Sequence, residues 1–246
     1  MAEPQAVRGA ALITGGARRI GRSLVTAAAD AGFDVAIHVR GVDDEAETAA
    51  AEVRARGRKA TILACDLRKE STTVALVGEA EAELGPVTLL VNNASVFDED
   101  AFSDMNRASW DAHMETNLRA PLVLAQAFAR RLAADREGLI VNILDQRVLN
   151  PGPAFFSYTL SKAALWEATR MLAKALAPRV RVNGIGPGPT LPSTYQDQAG
   201  FEAEVRDTLL GHAVAPNEIG QALRYLIDAK SVTGQLIAVD AGQHLS

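Results

Sequence analysis

The chain has 246 residues, 48% hydrophobic and 22% charged, with a formal net charge of −5. That suffices for a full core, and the acidic balance argues against a general nucleic-acid binder while leaving room for a few arginines to hold one phosphorylated small molecule. The single cysteine, Cys65, excludes an internal disulfide; the opening MAEPQAVRGA has no signal-peptide core, and no run of about 18 apolar residues free of charge occurs, so a soluble, cytoplasmic protein without a membrane span is expected.

In chain order, β-rich runs near 10–14, 34–40, 59–64, 87–91, 138–143, 179–184 and 235–239 alternate with stretches of helical periodicity at 43–56, 69–83, 106–134 and 157–177. The strands read as continuous apolar runs, which suits a parallel sheet covered on both faces. The expectation is an α/β fold in one domain over 1–246: a Rossmann-like, doubly wound parallel sheet of about seven strands. The irregular stretch 186–215 follows a strand end on the side where open α/β sheets bind ligands, and is expected to be a substrate-covering loop with a small helix.

The first turn, TGGARRIG (Thr14 to Gly21), joins a strand to a helix, where a pyrophosphate would sit on the helix N-terminus. Gly15 and Gly21 supply the tight turn and close packing, and Arg18, Arg19 and Ile20 lie between them; Arg19 stands where a middle glycine could stand. An NAD enzyme places Asp or Glu at the end of the second strand to hold the ribose 2′-hydroxyl. This strand ends His38-Val39-Arg40-Gly41. Arg40, helped by Arg18, is suited to a 2′-phosphate, because a guanidinium grips phosphate oxygens in pairs. That favours NADP over NAD, with Asp43 or Asp44 as the alternative ribose partner. Asp66-Leu67 and Asn92-Asn93-Ala94-Ser95 follow the third and fourth strands.

Tyr158 and Lys162 are four apart in YTLSK, on one face of a predicted helix. A phenol normally titrates near 10, and a neighbouring ammonium stabilises its phenolate, so Tyr158 is a candidate general acid with Lys162 as its tuner. Thr14-Gly15 through Gly21, Asp66, Asn92-Asn93-Ala94, Asn117, Tyr158-x-x-x-Lys162, Pro187-Gly188 and the tail VTGQLIAVDAGQHL together resemble the short-chain dehydrogenase/reductase family along essentially the whole chain. The resemblance implies a nicotinamide cofactor, Tyr158 as proton donor, and Lys162 on the nicotinamide ribose, lowering the Tyr158 pKa. It implies Asn117 anchoring a water of the proton relay, Asn93 along the cofactor, and Asp66 on the adenine amino group. It also implies a homo-oligomer, dimer or tetramer, paired through 106–134 and 157–177.

One position departs from the family. A serine is usual 13 residues before the tyrosine, and here Asp145 stands there. A serine hydroxyl can donate to a ketone oxygen; an ionised carboxylate only accepts, and suits a substrate that presents N–H groups or is protonated on nitrogen. Alternatively, burial keeps Asp145 protonated. Arg19, Asp145 and an aromatic after NNAS, here Phe97, resemble the pteridine reductase and dihydromonapterin reductase branch. That implies NADPH as hydride donor, Phe97 stacked on a pterin, Ser95 touching substrate and cofactor, Arg19 reaching from the cofactor phosphate toward the pterin, and Tyr158 protonating a ring nitrogen in relay with Asp145 and Lys162. The alternatives are a reductase of carbonyl substrates and a catalytically silent binding protein. His113, His212 and His244 lack metal-ligand spacing, so no metal is expected.

Overall fold

In the computed structural model, which describes residues 7–193 and 197–246, seven parallel strands form one sheet in the order β3-β2-β1-β4-β5-β6-β7. They are β1 (Ala10–Thr14), β2 (Asp34–Val39), β3 (Ala60–Ala64), β4 (Val87–Asn92), β5 (Gly138–Ile143), β6 (Val180–Pro187) and β7 (Leu236–Val239). The helices are α1 (Arg19–Asp30), α2 (Asp44–Ala55), the short α3 (Glu70–Thr73), α4 (Leu76–Leu84), α5 (Arg107–His113), α6 (Ala120–Arg131), α7 (Phe156–Leu176), α8 (Gln198–Arg206) and α9 (Pro216–Asp228).

Alternation along each strand sends apolar side chains to both faces. Ala11 and Ile13 join the cluster under α1, α2 and α9; Leu12 joins the one under α4, α6 and α7. The central strands β1, β2, β4 and β5 are buried at every residue, whereas β3 and β7, at the two edges, are only partly covered. Among the described residues no helix is long and apolar enough to cross a membrane.

The predicted helix 106–134 is not uniform. Asn106 caps α5 by accepting from the Ala108 and Ser109 amides, and a π-helical segment, Met114–Arg119, separates α5 from α6. The wide turn carries Asn117 fully inside, where its amide bonds hold neighbouring elements together; side-chain pairing of this kind is invisible to a periodicity argument. A buried polar chain fixes α7 to the sheet. Asn92 Nδ2 donates to Asn142 Oδ1 at 2.8 Å, Asn142 Nδ2 donates to Thr169 Oγ1 at 2.8 Å, and Thr169 Oγ1 donates to the Leu165 carbonyl at 2.7 Å.

Two glycines set the first turn. Gly15 has φ +62, and a Cβ on Gly21 would stand 2.0 Å from the Gly15 carbonyl oxygen. Gly21→Ala therefore forces the turn off α1. It is expected to cost about 1–3 kcal/mol, the range for overpacking a tight site, read as a lowered urea midpoint.

Candidate active site

The strand order reverses between β1 and β4, and a cleft of about 870 Å³ opens at the carboxyl ends of the strands there. Gly15, Arg18, Arg19, Ile20, Gly21, His38, Arg40, Asp66, Leu67, Asn93, Ala94, Ser95, Phe97, Asp145, Tyr158, Lys162, Pro187 and Gly188 all line it. Asn117 lies behind its wall.

At the first turn the backbone is pinned before any ligand arrives. Thr14 Oγ1 accepts from the Asn93 and Ala94 amides at 2.9 and 3.0 Å, and Asn93 Nδ2 donates to the Thr14 and Gly15 carbonyls at 2.8 and 3.0 Å. Arg19 has φ +50, the left-handed conformation of a glycine, so the position keeps the turn's geometry at the roughly 1 kcal/mol strain of an L-residue there. Its guanidinium donates to the Leu191 and Pro192 carbonyls at 3.1 and 3.0 Å, tying the turn to the start of the covering segment. That segment contributes α8, while 194–196 lie outside the described residues. Leu191, Phe201 and Glu204 from it line the cleft.

The two arginines expected at a 2′-phosphate differ. Arg18 pairs with Asp43 and Glu45, so its charge is already compensated. Arg40 is exposed and has no hydrogen bond or ion pair among the described residues. Asp43 is the N-cap of α2, accepting from the Ala46 amide at 3.0 Å; that bond and Arg18 hold its carboxyl below the usual range. This leaves Asp43 poorly placed as a free ribose acceptor. His38 is buried; its Nδ1 accepts from the Gly15 amide at 3.4 Å, and its Nε2–H donates to the Cys65 carbonyl at 3.1 Å. Burial lowers its pKa, and this neutral tautomer braces β2 against the first turn. The Asp66 carboxyl, gripped by the Arg68 guanidinium and amide, falls to about 2.

At the other end, α7 presents Tyr158 and Lys162 to Asp145, which follows β5. The Tyr158 hydroxyl donates to Asp145 Oδ2 at 2.8 Å. Asp145 Oδ1 accepts from the Arg147 amide at 2.8 Å, and the Arg147 guanidinium is 3.9 Å away. Lys162 Nζ donates to the Ile143 carbonyl at 2.8 Å and lies 5.7 Å from the Tyr158 ring centre. Burial raises the Asp145 pKa, despite the Arg147 amide and charge, and lowers that of Lys162 to about 8. Burial and the Asp145 carboxylate together push Tyr158 well above the usual phenol value. This corrects the expected direction: Tyr158 is a protonated donor bonded to Asp145, desolvation and that carboxylate dominate, and the opposing charge is the Arg147 guanidinium rather than the Lys162 ammonium.

Asn117 is saturated. Its Nδ2 donates to the Val96 carbonyl at 2.9 Å and Ser161 Oγ at 3.0 Å; its Oδ1 accepts from the Val96 amide at 2.8 Å and Ser95 Oγ at 3.2 Å. With both donors and both lone pairs used, its side chain positions the Ser95–Val96 backbone, and only its main chain is left to hold a water. Ser157, beside the tyrosine, has a buried hydroxyl with no hydrogen-bond partner among the described residues, and it does not line the cleft.

The loop after Ser95 is tied to α7 through Asp100. Its Oδ1 accepts from the Ser157 amide at 2.9 Å, its carbonyl accepts from the Phe156 amide at 3.0 Å, and the Ser109 hydroxyl bonds its carboxylate. The Asp98 amide donates to Nε2 of the buried His113 at 3.2 Å. These ties bring Phe97 against α7. The Phe97 ring stacks on Phe155 at 4.4 Å between centroids and 7° between planes, and meets Tyr158 edge-on at 4.6 Å. The Arg147 guanidinium lies 5.1 Å over the Phe155 ring. Sequence reasoning missed Arg147 and Phe155. The pair Phe155-Phe156 before SYTLSK was the visible signal, but neither spacing nor periodicity says which ring faces the cleft.

The short chain dehydrogenase family matches residues 9–202. This chain belongs to that family. It is thus an oxidoreductase with the Rossmann-like fold described above. The chain is 46% identical to FolM alternative dihydrofolate reductase 1 from Brucella canis, solved with NADP; the match has a TM-score of 0.94 and covers 100% of this chain and 97% of that one. The Brucella suis counterpart, also with NADP, is 47% identical over 97% and 96% of the two chains, with a TM-score of 0.93. The 3-oxoacyl-[acyl-carrier-protein] reductase FabG of Staphylococcus epidermidis is 28% identical, covering 96% of this chain and 98% of its own. The expected pteridine reductase-like branch is thus where the higher identities fall.

The sign of the Lys162 effect on this short-chain dehydrogenase is testable. Its pKa drops from 10.5 to about 8 on folding. Below pH 8 both states are charged and the burial penalty is fully present. Between about 8 and 10.5 the folded protein has released a proton that the unfolded chain still holds, so the penalty fades as pH rises. Lys162→Met is expected to stabilise the cofactor-free protein at pH 7 by up to about 3 kcal/mol, at about 1.4 per pKa unit, less the lost bond to Ile143. Chemical denaturation of both proteins from pH 7 to 10 should show that advantage shrinking above pH 8.

Proposed function

We propose that this protein is an NADPH-dependent reductase of pterin or dihydrofolate-like substrates. The observation that carries the reading is Asp145, held at the tyrosine hydroxyl where the family usually has serine. An anionic acceptor there opposes a developing alkoxide, but complements a substrate edge that offers N–H groups and gains a proton on nitrogen. The 46% and 47% identities to proteins described as alternative dihydrofolate reductases support the same substrate class.

The residues present fit a dinucleotide. Gly15 and Gly21 keep the first turn tight, and the N-terminus of α1 lines the cleft for a pyrophosphate. Asp66 lines the cleft as the candidate acceptor for an adenine amino group, and Arg40, with no ion pair among the described residues, suits a 2′-phosphate better than the already paired Arg18. The bound dinucleotide supplies the hydride. Tyr158, held protonated by burial and by Asp145, turns its hydroxyl to the substrate nitrogen and gives up the proton. The phenolate then regains its proton from solvent, while Asp145 remains the carboxylate that accepts from the hydroxyl. Lys162 stabilises the transient negative charge and holds the ribose. A ring C=N thus becomes CH–NH, with hydride to carbon and proton to nitrogen. We also infer a cytoplasmic homo-oligomer, dimer or tetramer, paired through the 106–134 and 157–177 helices.

A reductase of carbonyl compounds is the second reading, favoured by the FabG likeness along the whole chain. NADPH consumption with a dihydropterin, dihydrofolate and 3-oxoacyl substrates separates the two. On the pterin reading Tyr158→Phe and Asp145→Ser each lose about 100-fold or more in turnover, the scale of a general acid–base step. Asp145→Ser with undiminished or improved ketone turnover, and no activity on pterins, would select the second reading. Arg40→Ser is expected to weaken NADPH binding about tenfold or more, roughly 1.4 kcal/mol, while leaving NADH binding unchanged. Arg18→Ser should have a smaller effect.

A further inference from the structure

Asp145 brings a charge to a position where the family usually has an uncharged serine. A carboxylate removed from water stays ionised only if other groups compensate it. Two of its neighbours are poorly suited to that. The Tyr158 hydroxyl, at 2.8 Å, is neutral, and the Lys162 ammonium is committed to the Ile143 carbonyl at 2.8 Å. The third neighbour comes from the same turn. Asp145 caps the short 3₁₀ turn Gln146–Val148 and accepts from the Arg147 amide at 2.8 Å. This Asx turn folds the Arg147 side chain back toward the carboxylate, with Nε 3.9 Å from Oδ1.

Arg147 is held there from its other side as well. Its side chain is 23% exposed, and its guanidinium lies 5.1 Å over the Phe155 ring, which stacks in turn on Phe97. A guanidinium packs on a ring face without losing its charge and stays protonated at any working pH. The other ionisable groups near Asp145 do not replace it. From α7 they are Tyr158 and Lys162. Strand β5 brings none, and Arg181 of β6 is held by the Leu226 and Ala229 carbonyls at that strand's far end. The C-terminal turn Gln243–Leu245, packed against the turn after Asp145, brings His244, which is bonded to Asp240. Asp98, Glu99 and Glu204 also line the cleft, and as carboxylates they oppose a further negative charge. Burial pushes the Asp145 carboxyl up, and the Arg147 amide and guanidinium counter it ahead of Tyr158 and Lys162.

We propose that Arg147 is the counter-ion of Asp145, keeping this enclosed carboxylate ionised so that it remains an acceptor for the Tyr158 hydroxyl and for an N–H edge of the substrate. Arg147 acts through Asp145 and is a positioning residue. An aspartate at 145 thus works as one half of a pair whose other half stands two residues on. The use of Asp145 toward a substrate rests on the pterin reading; the charge pairing does not.

The test reads the titration of Asp145. Arg147→Met and Arg147→Gln remove the charge with an apolar and a polar chain, and Arg147→Lys keeps the charge. Each variant and the parent are also made with Asp145→Asn. Urea denaturation then gives stability from about pH 4 to about pH 8, with circular dichroism to check folding. A carboxyl whose pKa is raised by folding favours the folded state below its unfolded value, and that advantage is lost as pH rises through the folded value. The stability difference between each protein and its Asp145→Asn counterpart therefore falls with rising pH and levels off above the folded pKa of Asp145.

In Arg147→Met and Arg147→Gln the levelling-off is expected about one pH unit or more higher, the low end of the scale for an opposite charge about 4–6 Å away. Arg147→Lys is expected to stay near the parent. On the pterin reading the acid limb of turnover moves up with it in the two neutral variants, and turnover recovers at higher pH. Neutral variants that lose the same stability at every pH, with the levelling-off unmoved, overturn the proposal: the side chain then only packs. An equal move in Arg147→Lys overturns the assignment to charge. If the levelling-off moves but neither dihydropterin nor dihydrofolate is reduced, the counter-ion stands and the pterin reading falls. If the parent reduces them and the levelling-off stays in place, the pterin reading stands and the counter-ion falls.

Discussion

The whole cleft depends on one cross-link at the point where the strand order reverses. Strands β1 and β4 are neighbours in the sheet but 77 residues apart at the Thr14–Val91 contact, and their chains must diverge at the end to leave a crevice. Thr14 and Asn93 hold that divergence open with four bonds between hydroxyl, amide and carbonyl groups. Gly21 can sit against the Gly15 carbonyl only because it has no side chain, and Gly15 packs as closely on Ala94. The first turn, the NNAS loop and the N-terminus of α1 are thus one rigid unit, set before any ligand binds. Such preorganisation avoids ordering costs at the moment of binding.

On that frame, the chemistry is decided by burial. Tyr158, Asp145 and Lys162 are removed from water together, and each responds by favouring its neutral form: the phenol and carboxyl pKa values rise and the ammonium value falls. In a solvated site Lys162 would dominate Tyr158 as a simple positive charge. Here the carboxylate is bonded directly to the hydroxyl, while the ammonium is committed to the Ile143 carbonyl. The proton is held on the tyrosine, and on the proposed reading it passes to a substrate nitrogen basic enough to take it.

The two arginines of the first turn have separate roles. Arg18 is neutralised by Asp43 and Glu45, which fastens the turn to α2. Arg19 adopts a glycine-like backbone and spends its donors on Leu191 and Pro192, linking the turn to the segment that covers the cleft. Arg40, also at the cleft, has no ion pair among the described residues, whereas Arg147 stands beside Asp145 and the Phe155 ring.

The fold class, the strand positions to within a residue or two for most strands, and about half of the residues that line the cleft were legible in the sequence. Those features follow from local rules: apolar runs make buried strands, glycines permit tight turns, and residues at strand ends gather at one edge of a parallel sheet. The departure at Asp145 was equally legible, because a spacing locates it. Only the tertiary structure decided what the residues do to one another. The π-helical turn that buries Asn117, the pairing of Arg18, the upward shift of Tyr158 and the Phe97–Phe155 stack all join residues distant in sequence. Their energies come from burial and from which partner is nearest, and neither quantity exists until the chain has packed.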